Sequence, residues 1–215
     1  MAGRVARYAQ SGRRHFQTGR ITNDTKGRQM KLIILDRDGV INKDSDSFIK
    51  SPDEWQALPG SLHAIARLNQ AGYTVVVATN QSGVARKLFD MATLNAIHQK
   101  MHTSVQLVGG KIDAIFFCPH IADDSCDCRK PKPGMLQEIA RRYDVSLKGV
   151  HCVGDSLRDL QAGFVVGCIP HLVLTGKGQM TKEKGGLPPG THIYPDLAAM
   201  VDTLLSAHHE PLAAN

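Results

Sequence analysis

Short apolar runs alternate with segments of helical period along most of this 215-residue chain, and that alternation limits the fold more than any other feature. Residues 31–36 hold Leu32, Ile33, Ile34 and Leu35, a continuous apolar run of strand length. The pattern predicts further strands over 73–78, 114–117, 149–153 and 169–174. Between them, Leu62, Ile65 and Leu68 share one helical face in 60–71, and Gly72 ends that helix. A second helix starts from a Thr93 cap, runs to 107 and ends at Gly109 and Gly110. Pro133 opens a third, to 143; 157–162 is a short fourth, and 195–206 a terminal one. Strands that take turns with helices pair in parallel through right-handed crossovers, so the expected fold is α/β with a doubly wound parallel sheet. The Gly- and Lys-rich stretch 175–190 is expected to be a mobile loop. The stretch 37–59 is too short for a large cap domain.

The net charge of +6 invites a nucleic-acid reading, but its distribution opposes it. Residues 1–29 hold seven of the 26 basic residues and one of the 20 acidic ones, so the rest of the chain is balanced. A neutral body with 5% aromatic residues has no field or stacking surface for nucleic acid. The basic segment lacks the apolar core of a secretory signal. Its composition resembles an organellar transit peptide, and Met30 directly before the first strand also fits an upstream mis-called start. The preferred reading is a dispensable, disordered extension over 1–29, then one domain over 30–207 and a frayed tail over 208–215. No apolar run is long enough to cross a bilayer.

Chemistry-bearing residues gather where strands end, and in a parallel sheet those ends share one edge. Asp36-Arg37-Asp38-Gly39 follows the first strand. Two carboxylates there can bind a divalent cation, and one can act as a nucleophile; a plain solvated turn is the competing reading. Thr79-Asn80-Gln81-Ser82-Gly83 follows the second strand and offers a hydroxyl, amides and a glycine that can turn N–H groups toward an anion. Arg129-Lys130-Pro131-Lys132-Pro133-Gly134 places cations beyond the third strand. Gly154-Asp155-Ser156-Leu157-Arg158-Asp159 follows the fourth; Asp155 can complete a cation site with Asp36, and Asp159 can cap or orient that site. Carboxylates, a hydroxyl and a lysine converging on one edge are equipment for phosphoryl transfer.

Three of the five cysteines and a histidine form Cys118-x-His120-x5-Cys126-x-Cys128, a soft set suited to tetrahedral Zn2+. A disulfide is the alternative, disfavoured by the odd total and the neighbouring histidine. Because the cluster directly precedes Arg129 and Lys130, a closed structural zinc would clamp that loop and aim its cations. Cys152 and Cys168 read as small buried apolar residues.

In this order and spacing, the segments from residue 31 to 200 resemble the haloacid dehalogenase superfamily of phosphohydrolases. The resemblance implies a Rossmann-like sheet with Asp36 as nucleophile and Asp38 as general acid and base. It implies that Thr79 and Lys130 stabilise the phosphoryl group. It assigns Mg2+ to Asp36, the Asp38 carbonyl and Asp155. The zinc loop with Cys-Arg-Lys-Pro resembles the histidinol-phosphate phosphatase-like branch, and its wording favours a sugar bisphosphate over histidinol phosphate. Carried over by position, Arg37, Asp44, Ser45, Asp46, Ser47, Asn80, Gln81, Ser82, Arg129 and Ser156 would contact substrate. The chain departs from the family at Asp44-Ser45-Asp46-Ser47, which lacks a Gly-Tyr pair, and at Ser156, where some relatives carry Lys. The implied setting is a cytoplasmic monomer acting on a small sugar phosphate, without nucleic-acid or membrane partners.

Overall fold

A computed structural model describes residues 30–207, so the expectations for 1–29 and 208–215 lie outside the described residues. The elements, in chain order, are β1 (Leu32–Leu35), α1 (Ser61–Gln70), β2 (Thr74–Asn80), α2 (Met91–Leu107), β3 (Ala114–Cys118), α3 (Gly134–Tyr143), β4 (His151–Gly154), α4 (Leu157–Val165), β5 (Ile169–Val173), α5 (Gly178–Lys184), β6 (His192–Tyr194) and α6 (Leu197–Ser206). All strand pairs are parallel, in the order β3-β2-β1-β4-β5-β6. The chain winds outward from β1 to β3, then returns to lay β4 on the other flank of β1. That reversal opens a crevice at the carboxyl ends of β1 and β4, the usual ligand position in such sheets.

The central strands β1 and β2 are apolar and buried along almost their whole length because both faces of the sheet are covered there. Ile33 and Leu35 of β1, with Val75 and Val77 of β2, face a core shared with Ile65 and Leu68 of α1, Ile97 and Met101 of α2, and Met200 of α6. Leu32, Ile34, Val76 and Ala78 face the other side, against Met135, Leu136 and Ile139 of α3 and Ala162 of α4. A fully buried Leu or Ile contributes about 1.5–3 kcal/mol, so the central strands are firmly held, and with them the residues at their tips. Trp55 is buried in the first core, and Cys152 and Cys168 in the second. Among the described residues, no strand or helix lies between β1 and α1, so no large cap domain is inserted there.

The structure differs from expectation in three places. Asp90, not Thr93, caps α2; its carboxylate accepts the Thr93 N–H. The stretch 175–190 contains α5. That helix has no apolar stripe and is fixed from outside: Gly178 sits so close to the Val173 carbonyl that a Cβ would fall 1.8 Å from it, and the Thr181 hydroxyl donates to the Asp155 carbonyl at 2.9 Å. The short edge strand β6 is a sixth, mostly exposed, and carries no apolar run to announce it.

Candidate active site

Four strand ends deliver the predicted residues to one cleft of ≈ 230 Å3. Asp36 follows β1, and its N–H donates to the Val153 carbonyl of β4 at 2.9 Å, so the carboxylate stands over the β1/β4 crevice. Lys130 is buried and places Nζ 2.9 Å from Asp36 Oδ1, 2.6 Å from Asp159 Oδ1 and 2.6 Å from the Ala78 carbonyl. Burial pushes the Asp36 carboxyl up to about 6; Lys130 pulls it down, while Asp159 and Asp38 push it further up. Burial alone would lower the Lys130 pKa, but Asp159 and Asp36 outweigh it and hold the ammonium charged. Burial would likewise raise Asp159, but Lys130 and Arg158 outweigh it and keep that carboxyl below its ordinary value.

Asp155 follows β4 and lies within 4.8 Å of Asp36 and Asp159, oxygen to oxygen. Its burial, then the Asp159 and Asp36 charges, push its carboxyl up to about 8. Two glycines make this crowding sterically possible. A Cβ on Gly39 would lie 2.0 Å, and one on Gly176 2.2 Å, from Asp155 Oδ2. The Lys177 N–H donates to that same oxygen at 2.8 Å, and the Thr175 hydroxyl donates to the Gly39 carbonyl at 2.6 Å. Asp36 and Asp155 therefore offer hard oxygen ligands in surroundings short of positive charge. That donor set suits a small divalent cation. Asp159 divides its oxygens between Lys130 and the amide and hydroxyl of Ser156, which makes it an orienting group.

Asp38 is held from three sides. Arg37 donates from Nε at 3.2 Å and from Nη2 at 3.0 Å to Oδ1, and from Nη2 to Oδ2 at 3.0 Å. Asn42 Nδ2 donates to Oδ1 at 2.9 Å and Gln81 Nε2 to Oδ2 at 2.8 Å. Gln81 also donates to the Thr79 hydroxyl at 3.0 Å, which leaves that O–H free to donate into the cleft.

Several residues expected on the substrate have other positions. Arg37 is fully buried and turned away from the cleft, because Asp38 and His98 take its N–H groups. Ser156 is the N-cap of α4, in a capping box with Asp159, and does not line the cleft. Ser47 faces outward, its N–H on the Ser45 hydroxyl at 3.2 Å, while Asp44, Ser45 and Asp46 line the cleft. Asn80 reaches the cleft wall, but its amide clamps the Lys130 backbone, accepting its N–H at 3.1 Å and donating to its carbonyl at 3.0 Å. Ser82 and Arg129 line the cleft; Arg129 Nη1 donates to the His120 carbonyl at 3.0 Å.

The loop tip near Phe48, expected to help cover the site, lines the cleft, whereas sequence reasoning missed Ile49, Arg86, Arg158 and Lys177 as cleft residues. Arg86 lies 6.0 Å over the Phe48 ring. Lys177 pairs with Asp44 at 3.2 Å and Asp46 at 3.0 Å, bridging two loops across the mouth. Arg158 stands in a segment already singled out for phosphate chemistry, and Arg86 lies three residues past another, which was the available signal. Lys177 had none, since its stretch carries no pattern.

Beside the cleft, the sulfurs of Cys118, Cys126 and Cys128 and a ring nitrogen of His120 lie within 4.8 Å of one another, with no disulfide. Cys118 Sγ is 3.8 Å from Cys126 Sγ and 3.2 Å from Cys128 Sγ; His120 Nδ1 is 3.5 Å from Cys118 Sγ and 3.3 Å from Cys128 Sγ. A tetrahedron with Zn–S of about 2.3 Å and Zn–N of about 2.0 Å has edges of about 3.8 and 3.5 Å, so the quartet already has about that size. Its loop is tied forward to α3, with Gly134 N–H on the Asp127 carbonyl at 2.9 Å and Lys132 Nζ on the Cys126 carbonyl at 2.7 Å.

A family model for haloacid dehalogenase-like hydrolases matches residues 5–167. The D-glycero-beta-D-manno-heptose-1,7-bisphosphate 7-phosphatase of Bordetella bronchiseptica is 68% identical over 176 residues, spanning 82% of this chain and 98% of that protein. Its namesake from Pseudomonas aeruginosa is 56% identical over 174 residues, spanning 81% and 97%. Among solved structures, the D,D-heptose 1,7-bisphosphate phosphatase of B. bronchiseptica complexed with magnesium and phosphate superposes with a TM-score of 0.82 at 67% identity, covering 83% of this chain and 99% of that one. The Burkholderia thailandensis enzyme gives 0.67 at 56%, covering 82% and 99%.

Proposed function

This chain belongs to the haloacid dehalogenase-like hydrolase family and is a phosphoric monoester hydrolase, and from that premise we propose that it removes the 7-phosphate of D-glycero-D-manno-heptose 1,7-bisphosphate through an aspartyl-phosphate on Asp36. The observation that carries the mechanism is the buried Asp36–Lys130 pair at the β1 tip, with Asp38 beside it and Asp155 facing it. An Asp36 oxygen attacks phosphorus, and the bond from phosphorus to the sugar oxygen breaks. The leaving alkoxide takes a proton from the Asp38 carboxyl. A water then gives its proton to the Asp38 carboxylate as its oxygen attacks phosphorus. The phosphorus–Asp36 bond breaks, which releases inorganic phosphate and restores the Asp36 carboxylate. Lys130 and the Thr79 hydroxyl hold the transferring oxygens.

Asp36, Asp155 and the Asp38 main-chain carbonyl would hold Mg2+, which supplies positive charge against the phosphoryl oxygens and keeps Asp36 ionised. The B. bronchiseptica complex with magnesium and phosphate supports this assignment. Cys118, His120, Cys126 and Cys128 would hold a structural Zn2+, which fixes the loop that delivers Arg129 and Lys130.

The cleft favours a bisphosphate. Beyond Lys130 it presents Arg86, Arg129 and Arg158, none of them in an ion pair among the described residues, and they can receive a second phosphate. The alternative substrate, histidinol phosphate, has one phosphate and a cationic tail that these arginines would repel. Such an enzyme serves the supply of ADP-heptose for the lipopolysaccharide core, a cytoplasmic task. No helix among the described residues is long and apolar enough to cross a membrane. Phosphate release measured side by side on heptose 1,7-bisphosphate and histidinol phosphate, with Mg2+, tests the reading. The heptose substrate should be faster and the Asp36→Asn variant inactive; faster histidinol phosphate turnover reverses the assignment.

A further inference from the structure

Arg37 stands between the two catalytic aspartates in sequence, yet none of its surface is exposed. A guanidinium has five donors and no acceptor, so every neighbour that bonds it must accept. Asp38 takes one edge through three contacts of 3.0–3.2 Å. On the other edge, Nη1 lies 3.3 Å from Nε2 of His98. His98 comes from the buried side of α2, and its ring leans on Phe117 of β3, centroid to centroid 6.0 Å. Since Arg37 can only donate, the His98 ring is neutral there, with its proton on Nδ1. Burial first, and then the Arg37 charge, hold its pKa well below the ordinary value.

We propose that His98 is a positioning residue for proton transfer: it anchors the buried Arg37 guanidinium, which in turn fixes the orientation of the Asp38 carboxylate over the scissile bond. The inference rests on Asp38 acting as acid and base. Asp38 is also tied to Asn42 and Gln81, so loss of His98 loosens it without releasing it. Without an acceptor at 98, Nη1 becomes a buried donor lacking a partner, and the guanidinium turns toward another acceptor. The carboxylate it forks turns with it. A displacement of this kind leaves phosphate binding alone and disturbs the two steps in which Asp38 moves a proton.

The experiment compares two leaving groups. A sugar alkoxide needs a proton as it leaves, whereas p-nitrophenolate leaves as the anion. In both cases the aspartyl-phosphate needs Asp38 to take a proton from water. For His98→Leu we expect kcat on heptose 1,7-bisphosphate to fall by about 10- to 100-fold with KM within about two-fold. On p-nitrophenyl phosphate, rapid mixing should show a first-turnover burst within about three-fold of the wild-type rate, followed by slow turnover. His98→Gln, whose amide oxygen can accept from Nη1, should recover most of the loss. Equal damage to burst and turnover, or an unchanged kcat on the sugar substrate, overturns the proposal. Should His98→Leu fail to fold, Arg37→Lys decides. Its ammonium cannot span from Asp38 to His98, so the same split must appear, and wild-type turnover overturns the proposal. If the wild-type enzyme ignores the sugar bisphosphate, the substrate reading fails, while the burst and turnover on p-nitrophenyl phosphate still judge His98.

Discussion

Metal binding by this site should release protons. Asp155, pushed up to about 8, and Asp36, pushed up to about 6, are the two carboxylates that would ligate Mg2+, and both must be ionised to do so. At pH 7 the Asp155 carboxyl is about nine-tenths protonated and Asp36 about one-tenth, so binding one Mg2+ expels about one proton. Apparent affinity should be flat above pH 8. It should fall about 10-fold per unit below that, and more steeply below pH 6 once Asp36 also holds a proton, giving a loss of about 100-fold, or about 3 kcal/mol, between pH 8 and 6. Isothermal titration of the metal-free protein with Mg2+, in two buffers of different protonation enthalpy, reads both the proton count and the affinity. The metal-free protein should show the opposite trend in stability. Both folded pKa values lie above the unfolded value of 3.8, so the stability associated with these groups is complete below that pH. It is lost as pH rises through about 6 and then about 8. Zero protons released at pH 7, with an affinity that does not change between pH 6 and 8, would refute the reasoning that crowded, desolvated carboxylates await a cation.

Lys130→Met should remove the cation that Asp36 and Asp159 share, lowering kcat by about 100- to 1,000-fold in a phosphate-release assay. It should also destabilise the fold by about 3–5 kcal/mol in urea unfolding, since it leaves buried charge uncompensated; wild-type stability would contradict the pairing. If the quartet holds zinc, Cys126→Ser or Cys128→Ser should lower the zinc content measured by atomic absorption and reduce activity through a loosened 126–134 loop, and unchanged zinc content and kinetics would rule out a structural metal. Gly39→Ala would place a Cβ 2.0 Å from Asp155 Oδ2 at a φ of 78°, so Mg2+ affinity and activity should both collapse, and ordinary Mg2+ titration in that variant would contradict the packing. Arg158→Ala should raise KM for the bisphosphate about 10-fold or more while affecting heptose 7-phosphate little, and equal effects on both would remove Arg158 from a second phosphate site.

The edge that carries the candidate site was legible because buried parallel strands are apolar along their central run, so the first polar residues after each run mark its tip. Asp36, Thr79 and Asp155 each stand within two residues of such a run's end, and Lys130 was found in the basic segment between the third strand and the helix opened by Pro133. Contacts that cross the sheet were not legible. Arg37 between two aspartates reads as a cleft residue, and nothing local says that it turns inward to an imidazole 61 positions later. Ser156 follows an aspartate of the candidate site, yet the Ser156-x-x-Asp159 spacing is also a capping box, and the need to satisfy the first turn of α4 prevailed. Lys177 lay in a stretch without period, because α5 is held by Gly178 and Thr181 against neighbours rather than by an apolar stripe of its own.

The charges in the cleft imply an order of assembly. Asp36, Asp155 and Asp159 face a single buried cation, Lys130, so fully ionised the inner site carries two surplus negative charges and would repel a phosphate dianion. Protonation of Asp155 relieves part of that surplus but removes a ligand, and only a divalent cation both neutralises the carboxylates and leaves them ionised. The arginines do not solve this problem: Arg129 and Arg86 lie toward the rim, over the His120 carbonyl and the Phe48 ring. They can draw in a substrate with two phosphates and hold the far one, but the near phosphate reaches Asp36 only after the cation is seated. Magnesium should therefore bind first. Initial rates should be those of an ordered mechanism, with substrate trapped poorly by metal-free enzyme in equilibrium dialysis. Tight binding of the bisphosphate to metal-free protein at pH 8 would show that the rim cations alone suffice and that the inner charge surplus does not govern entry.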